Sequence, residues 1–319
     1  MTLSIAFLLR PLALLGVVLL IGAGVLIHYL HWEDRVSFWF KEQGATADQR
    51  DASIWLPGYR AVLQGKPLVG LEDDETSGLT FNPVTGTLFT VTGKHPLLVE
   101  LSVQGDVLRR IELLGFADPE GVEVMGDGRI SIIDERSRQL TTFELADDDT
   151  RIDARGLPRF DLGFAEAGNK GFEGIGWDER NQRLILARER SPMGLFSVPF
   201  PDAGGAAGVM TPLPSAHLFI RDMSSLTVDP RTGHTLVLSD ESRLLLELDE
   251  QGEPVSFISL IGGLNGLEQA IKQAEGVTMD TAGNIYVVGE PNLFYVFHKD
   301  SQAPLSVPLA KVSAPLEVR

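Results

Sequence analysis

The chain contains no cysteine. Disulfides, thiolate-bound metals, a cysteine nucleophile and a lipid-modified cysteine are therefore excluded. Stability has to come from an apolar core, and about 250 residues are enough to build one. Basic residues are scarce as well: 27 Lys and Arg stand against 44 Asp and Glu, for a formal net charge of −17. Residues 1–72 hold six of each sign, so the excess lies in residues 73–319, with 21 basic and 38 acidic. Such a surface repels nucleic acid and anionic lipid and attracts cations; a polyanion would need a local basic patch. The alternative reading of the charge is solubility alone. Histidine is rare, and His95, His217, His234 and His298 show no ligand spacing, so nothing favours zinc. No nucleotide-binding loop, Ser-His-Asp set or nucleic-acid motif stands out.

From Pro11 to Trp32 there is no Asp, Glu, Lys or Arg. The stretch Leu12 to Ile27 is nearly pure hydrocarbon, and roughly 20 residues cover the ~30 Å apolar slab of a bilayer. Tyr29 and Trp32 sit where an interfacial aromatic belt would lie. Arg10 precedes the run, and Glu33, Asp34 and Arg35 follow it. With the positive end kept in the cytoplasm, the C-terminal bulk is expected to be exported. A cleaved signal peptide is the alternative, but the small residues Gly22-Ala23-Gly24 lie inside an apolar run longer than a usual signal core. Downstream, Val36, Phe38, Trp39 and Phe40 could form one short amphipathic face at the membrane, or serve as aromatic anchors of an ordinary linker.

A repeat occupies most of the chain. Glu120-Gly121-Val122, Glu173-Gly174-Ile175 and Glu275-Gly276-Val277 open three segments; Ser77-Gly78-Leu79 and Ser224-Ser225-Leu226 open two more. From the second residue of each opening the steps are 43, 53, 51 and 51 residues. Each opening runs into a turn, such as Asn82-Pro83-Val84-Thr85-Gly86 or Asp229-Pro230-Arg231-Thr232-Gly233, where Pro fixes φ and Gly tolerates positive φ. In the third repeat Asn181 is the candidate for the left-handed position. Apolar, largely β-branched runs follow, such as Ile130-Ser131-Ile132-Ile133 and Ile285-Tyr286-Val287-Val288, as expected of strands covered on both faces. A period of this length reads as a β-propeller blade. The expected fold is all-β, a five-bladed β-propeller preceded by a single N-terminal transmembrane helix. Residues 66–71 would supply an outer strand that closes the ring on the last blade. A six-bladed ring is the alternative, if residues 54–71 and 304–318 combine into a degenerate blade. The expected organisation is a cytoplasmic N-terminus over 1–10, a transmembrane anchor over 11–31, a juxtamembrane linker over 32–65 and the propeller over 66–319.

In a propeller the innermost strands line the central channel. Glu120, Glu173 and Glu275 should therefore converge near one mouth, with Ser77 and Ser224 in equivalent places. Crowded like charges are costly unless protonated, paired or metal-bound. A second acidic column, Asp134-Glu135, Glu189, Asp240-Glu241 and Glu290, ends the second strands; the first repeat has Thr92-Gly93-Lys94 there. Carboxylates and hydroxyls suit calcium, with its six to eight oxygen ligands. The candidate ligands are Glu120, Glu173, Glu275, Ser77 and Ser224, then Glu135, Glu189, Asp240 and Glu290. The alternative for the second column is structural pairing with Lys94, Arg136, Arg138, Arg188, Arg190 or Arg243.

The run Tyr286-Val287-Val288-Gly289-Glu290-Pro291-Asn292-Leu293-Phe294-Tyr295-Val296-Phe297 resembles the SdiA-regulated family of bacterial proteins. Ser77-Gly78-Leu79-Thr80-Phe81-Asn82-Pro83, Asn169-Lys170-Gly171-Phe172-Glu173-Gly174 and Leu238-Ser239-Asp240-Glu241-Ser242 extend the resemblance over about residues 73–298. It implies a five-bladed propeller distantly like NHL-repeat proteins, a bound calcium ion and no established enzymatic activity. The expected placement is the bacterial inner membrane, single-pass through residues 11–31, with the propeller in the periplasm. The expected partners are Ca²⁺, the lipid bilayer and a protein or small-molecule ligand that the sequence does not identify; no nucleic acid is expected. A calcium-dependent hydrolase of phosphoesters such as phytate, or of lactones, and a metal-free scaffold are the alternatives.

Overall fold

A computed structural model of the protein describes residues 31–163, 171–190, 192–200, 208–215 and 218–299, with residues 15, 17–22, 24–25 and 28–29. Their strands form five sheets whose innermost strands touch in a closed ring. Blade 1 comprises Thr76–Asn82, Thr87–Thr92, Leu97–Leu101 and Val107–Leu114. Blade 2 comprises Pro119–Val124, Ile130–Asp134, Gln139–Phe143 and Arg159–Asp161. Blade 3 comprises Phe172–Asp178, Arg183–Arg188, Gly194–Pro199 and Thr211–Leu213. Blade 4 comprises Ser225–Val228, Thr235–Ser239, Leu244–Leu248 and Pro254–Ser259. Blade 5 takes Ala274–Met279, Ile285–Gly289 and Leu293–Lys299, and its fourth strand is Tyr59–Pro67 from far upstream.

That closing strand runs antiparallel to Leu293–Lys299, with Tyr59 opposite Lys299 and Pro67 opposite Leu293. It begins at Tyr59 rather than Lys66 because Tyr59 and Ala61 already pack on the core between blades 4 and 5, and Leu63, past an irregularity in the register, packs on the core between blades 5 and 1. The six-bladed alternative fails on this pairing, since Tyr59–Pro67 already completes blade 5; residues 304–318 lie outside the described residues. The long connection after Phe143 holds the outer strand of blade 2, Arg159–Asp161. It also holds Arg151–Asp153, which pairs in parallel with Val107–Leu114 of blade 1.

The apolar second strands are explained by the cores they meet. Ile130–Asp134 and Ile285–Gly289 are buried at every position, and five apolar clusters fill the spaces between successive blades. Each fully buried Leu, Ile, Val or Phe there contributes roughly 1.5–3 kcal/mol relative to exposure. The turns behave as their residues dictate: Asn82 Oδ1 accepts from Val84 N, and Gly86 takes φ +69°. In blade 3 Gln182, not Asn181, takes the left-handed position (φ 50°). Asn181 is held back because its main-chain N–H and its amide both donate to Asp178.

The stretch read as a linker is folded onto the propeller. Helix α1, Trp32–Gln43, sets Phe38 against Phe219 and Phe257, with ring centroids 5.1 and 6.1 Å away. Glu42, buried on the same face, accepts from Phe257 N (3.0 Å). Val36, Trp39 and Phe40 remain exposed, so the aromatic cluster splits between protein and solvent faces. A second helix, α2, Ala47–Asp51, is held at its start by a Thr46–Gln49 capping box. Residues 11–31 are described only in part. The described ones up to Tyr29 are helical, and among the described residues no helix is long and apolar enough to cross a membrane.

Glu247 clasps this segment to blade 4. Its carboxylate, fully buried, accepts from Ile54 N (2.8 Å), Trp55 N (3.0 Å), the Ser256 hydroxyl (2.5 Å) and His234 Nδ1 (2.6 Å). Glu247→Ala would orphan several buried donors at once, so it is expected to cost about 3 kcal/mol or more. Urea unfolding measures this; a loss under about 1 kcal/mol, the value of one ordinary hydrogen bond, would contradict the clasp.

Candidate metal centre

The three glutamates of the Glu-Gly openings are bulge residues. Pro119 pairs with Asp134 and Gly121 with Ile133, which leaves Glu120 out of the ladder. Glu173 falls in the same way between Phe172 and Gly174, and Glu275 between Ala274 and Gly276. A bulge inserts one residue and re-aims its side chain out of the normal alternation. Blade 1 shifts at the same point, but its extra residue is Gly78, at φ +55°. Blade 4 starts at Ser225 without a shift.

The glycine that follows each glutamate lets adjacent backbones touch. A Cβ at Gly121 would lie 2.4 Å from the Glu173 carbonyl oxygen, and one at Gly78 would lie 2.5 Å from that of Glu120. At Gly276 it would lie 2.7 Å from the Gly78 carbonyl carbon, and at Gly174 it would lie 3.0 Å from Leu226 N. Between blades 4 and 5 a side chain does this work: Ser225 Oγ accepts from Val277 N (3.2 Å). The hydroxyls of Ser77 and Ser224 also bridge blades, donating to the carbonyls of Glu120 (3.0 Å) and Ala274 (2.6 Å).

The acids that end the second strands are drawn to the same mouth by a repeated main-chain bond. Glu135 N donates to Asp118 O (2.9 Å), Glu189 N to Gly171 O (3.0 Å), and Glu290 N to Gln273 O (2.9 Å). Each of these carbonyls lies two residues before the bulge glutamate of the same blade. Two carboxylate triads result, Asp118–Glu120–Glu135 and Glu135–Glu173–Glu189, and within each the ligand oxygens lie within 4.8 Å of one another. Glu135 belongs to both.

Few positive charges answer them. Arg136 pairs with Asp118 (2.9 Å), and Arg190 pairs with Glu189 and with Glu241 (2.6 Å). Among the described residues no ion pair reaches Glu120, Glu135, Glu173 or Glu275. Burial pushes Glu120 up to about 8, and repulsion from Asp118, Glu135 and Glu290 adds to it. Burial, then the neighbouring acids, also holds Glu173 and Glu275 well above the usual carboxylate range. Glu135 is raised by burial too, against the Gly171 N–H that donates to it (2.8 Å). At neutral pH the metal-free mouth therefore keeps protons that a cation would have to displace.

The SdiA-regulated family model matches residues 51–298. The chain belongs to the SdiA-regulated family. Solved structures similar to this family member include the nidogen–laminin complex, at 15% identity over 68% of this chain and 72% of that one, TM-score 0.47. A gluconolactonase from Xanthomonas campestris is 14% identical over 74% and 96%, TM-score 0.44. A calcium-binding protein, regucalcin, from Agrobacterium tumefaciens strain C58 is 13% identical over 74% and 92%, TM-score 0.44. At this distance they say nothing about the chemistry of the mouth.

In this member of the SdiA-regulated family the candidate ligands divide. Glu120, Glu135, Glu173 and Glu189 come together in the triads, and Glu275 lies in neither. Asp240 accepts from Ala274 N (3.1 Å) and Glu290 from Gln273 Nε2 (2.6 Å), so both are engaged within the fold. Asp134 braces its turn, accepting from Ala117, Asp118 and Ser137 N–H groups. Asp118 was not among the candidates from sequence. Its signal is present: two residues before each opening's first residue stand Glu75, Asp118, Gly171, Asp222 and Gln273, a third partly acidic column. Asp222 in that column is buried and bonded by the Ser239 hydroxyl and Glu241 N, which makes it a brace. Of the family-like motif at 169–174, Asn169 and Lys170 lie outside the described residues.

Proposed function

We propose that the protein is a membrane-anchored, exported propeller that binds Ca²⁺ at the Glu-Gly mouth of its channel. The observation that carries this reading is the pair of carboxylate triads sharing Glu135, with no ion pair to Glu120, Glu135 or Glu173 among the described residues. All the donors are oxygens, which suits a hard cation, and the irregular set fits the flexible six-to-eight coordination of Ca²⁺ better than octahedral Mg²⁺. Ser77 and Ser224 stand beside the mouth with their hydroxyl protons committed to backbone, which leaves their oxygens as further donors. The arginines that a phosphoester would need are occupied: Arg136 by Asp118, Arg190 by two glutamates, and Arg188 by the Pro192 carbonyl. That favours cation binding over the hydrolase reading.

Anchoring through residues 11–31 is supported by the charge-free run and by the exposure of Leu15, Val17 to Ile21 and Val25, which their own domain leaves uncovered. Arg221 ties the end of this segment to the acidic mouth. It donates to the Tyr29 hydroxyl (2.5 Å) and pairs with Glu241 (2.8 Å). The mouth would then face the periplasmic surface of the inner membrane. Resistance of the full chain to alkaline extraction from membranes tests the anchor.

For calcium, thermal unfolding and titration calorimetry on the full chain in detergent, stripped by chelator, are the measurements. At a hundredfold excess over Kd the ion contributes about 2.7 kcal/mol, a rise in Tm of roughly 5–10 °C for a domain of this size. No heat and no shift at millimolar Ca²⁺ would sink the reading.

A further inference from the structure

The channel has a second mouth, at the other ends of the inner strands. There the five blades enclose a cavity of about 340 Å³. Its walls are apolar and polarisable: Phe81 from blade 1, Met125 from blade 2, Trp177 from blade 3 and Met279 from blade 5. Glu123, the last residue but one of the blade 2 inner strand, also lines it and is only 8% exposed. Burial pushes the Glu123 carboxyl up to about 8, with Thr80 and the Trp177 main chain drawing it back down, and among the described residues Oε2 meets no partner. Proteins rarely leave a buried carboxyl oxygen unpaired, because the loss of hydration then goes uncompensated.

We propose that this mouth is a binding cup for a small organic ammonium ion, an amine carried on an apolar or aromatic body, anchored by Glu123. Charge selects the cation. Among the described residues, Glu123, Glu179, Asp229 and Asp280 line the cavity against a single cation, Arg231, which Asp229 already holds at 2.8 Å. The other acids are satisfied: Glu179 by Trp177 Nε1, and Asp280 by Asn284 and the Tyr286 hydroxyl. Glu123 is the acid left with an unpartnered oxygen, and that oxygen is buried. A metal ion is a poor match, since thioether, indole and phenyl walls surround one available carboxylate where Ca²⁺ needs six or more oxygens. An ammonium needs one charged acceptor and an aromatic face, and indole is the best such face. The volume falls within the range of small-molecule sites. The cup shares no residue with the carboxylate triads at the opposite mouth, so it does not depend on the calcium reading.

The test is titration calorimetry of the full chain in detergent with three probes of one shape: phenethylammonium, phenethyl alcohol and 3-phenylpropionate. The cation is expected to bind at least about tenfold more tightly than the other two, and Glu123→Gln to remove at least about tenfold of its affinity. Equal binding of all three, no binding of the amine at 10 mM (about ten times a weak, millimolar Kd), or unchanged affinity in Glu123→Gln would overturn the proposal. A second variant does not touch the buried acid. The chain has no cysteine, and Val84 at the rim is 86% exposed, so Val84→Cys can carry a naphthyl maleimide without disturbing the core. The labelled protein is expected to keep its Tm and lose the amine; retained binding would overturn the proposal. Glu135→Gln, at the other mouth, is expected to leave amine binding unchanged.

Discussion

Gly121→Ala is expected to unfold the ring or to cost most of its stability, although Gly121 has an ordinary φ. The added Cβ would lie 2.4 Å from the Glu173 carbonyl oxygen, 2.9 Å from Ile175 Cγ2 and 3.3 Å from Ile133 Cδ1. It is trapped between the next blade's backbone and its own blade's second strand. Overpacking against side chains costs about 1–3 kcal/mol because rotamers can shift; a carbonyl in a closed ring has no such freedom. Relief at one contact has to be shared by all five inner strands, and a domain has only about 5–15 kcal/mol to lose. Gly128→Ala is the control. Gly128 sits at φ +85° with nothing within 4 Å, so it carries only the left-handed cost of about 1–2 kcal/mol. Urea midpoints followed by circular dichroism separate the two. A Gly121→Ala loss no larger than that of Gly128→Ala would mean that the ring radius is not set by this contact.

That contrast also marks what was legible in the sequence. Period, blade number and turn chemistry depend on local patterns, and Asn82–Gly86 and Asp229–Gly233 stated them outright. The glycine of the Glu-Gly phrase was legible as a marker, but its reason lies in the neighbouring blade, 50 or so residues away. Long-range complementarity was not legible. Nothing local to Ile54 and Trp55 announces that Glu247 will take their N–H groups, and nothing in Arg151–Asp153 announces a parallel partner in blade 1. The site followed the same division. The glutamates could be placed at a mouth, but their grouping depends on bulges and on main-chain bonds that pull Glu135 and Glu189 beside them. Glu123 was invisible for a different reason: in Val122-Glu123-Val124 it reads as an ordinary outward polar residue, whereas here that face lines the narrow channel.

Glu135→Gln is expected to weaken Ca²⁺ binding more than any other conservative change at the mouth, because Glu135 alone belongs to both triads. Glutamine keeps an oxygen for the Gly171 N–H and removes the charge. Loss of an outer-sphere partner already costs about 10–100-fold in metal affinity, so loss of a ligand should cost at least about 100-fold. Glu275→Gln, outside both triads, should cost less than about tenfold by the same scale. The acids fix the pH dependence as well. Glu120 has a folded value of about 8 against an ordinary 4.5, so between those values the metal-free folded state holds a proton that the unfolded chain has released. Its contribution to stability is complete below about pH 4.5 and is lost as pH rises through 8. The chelator-stripped protein should thus melt at a lower temperature at pH 8 than at pH 6. Calcium has to displace the same protons, so its affinity should rise across that window. In the stripped protein Glu135→Gln should be neutral or stabilising, since it relieves repulsion from Asp118 and Glu189. A metal-free scaffold shares that last result and the pH dependence of the melting temperature, but not the calcium results. Calorimetry at pH 6 and pH 8.5 separates the readings: equal affinity at both would show that the ion does not bind among these raised carboxyls.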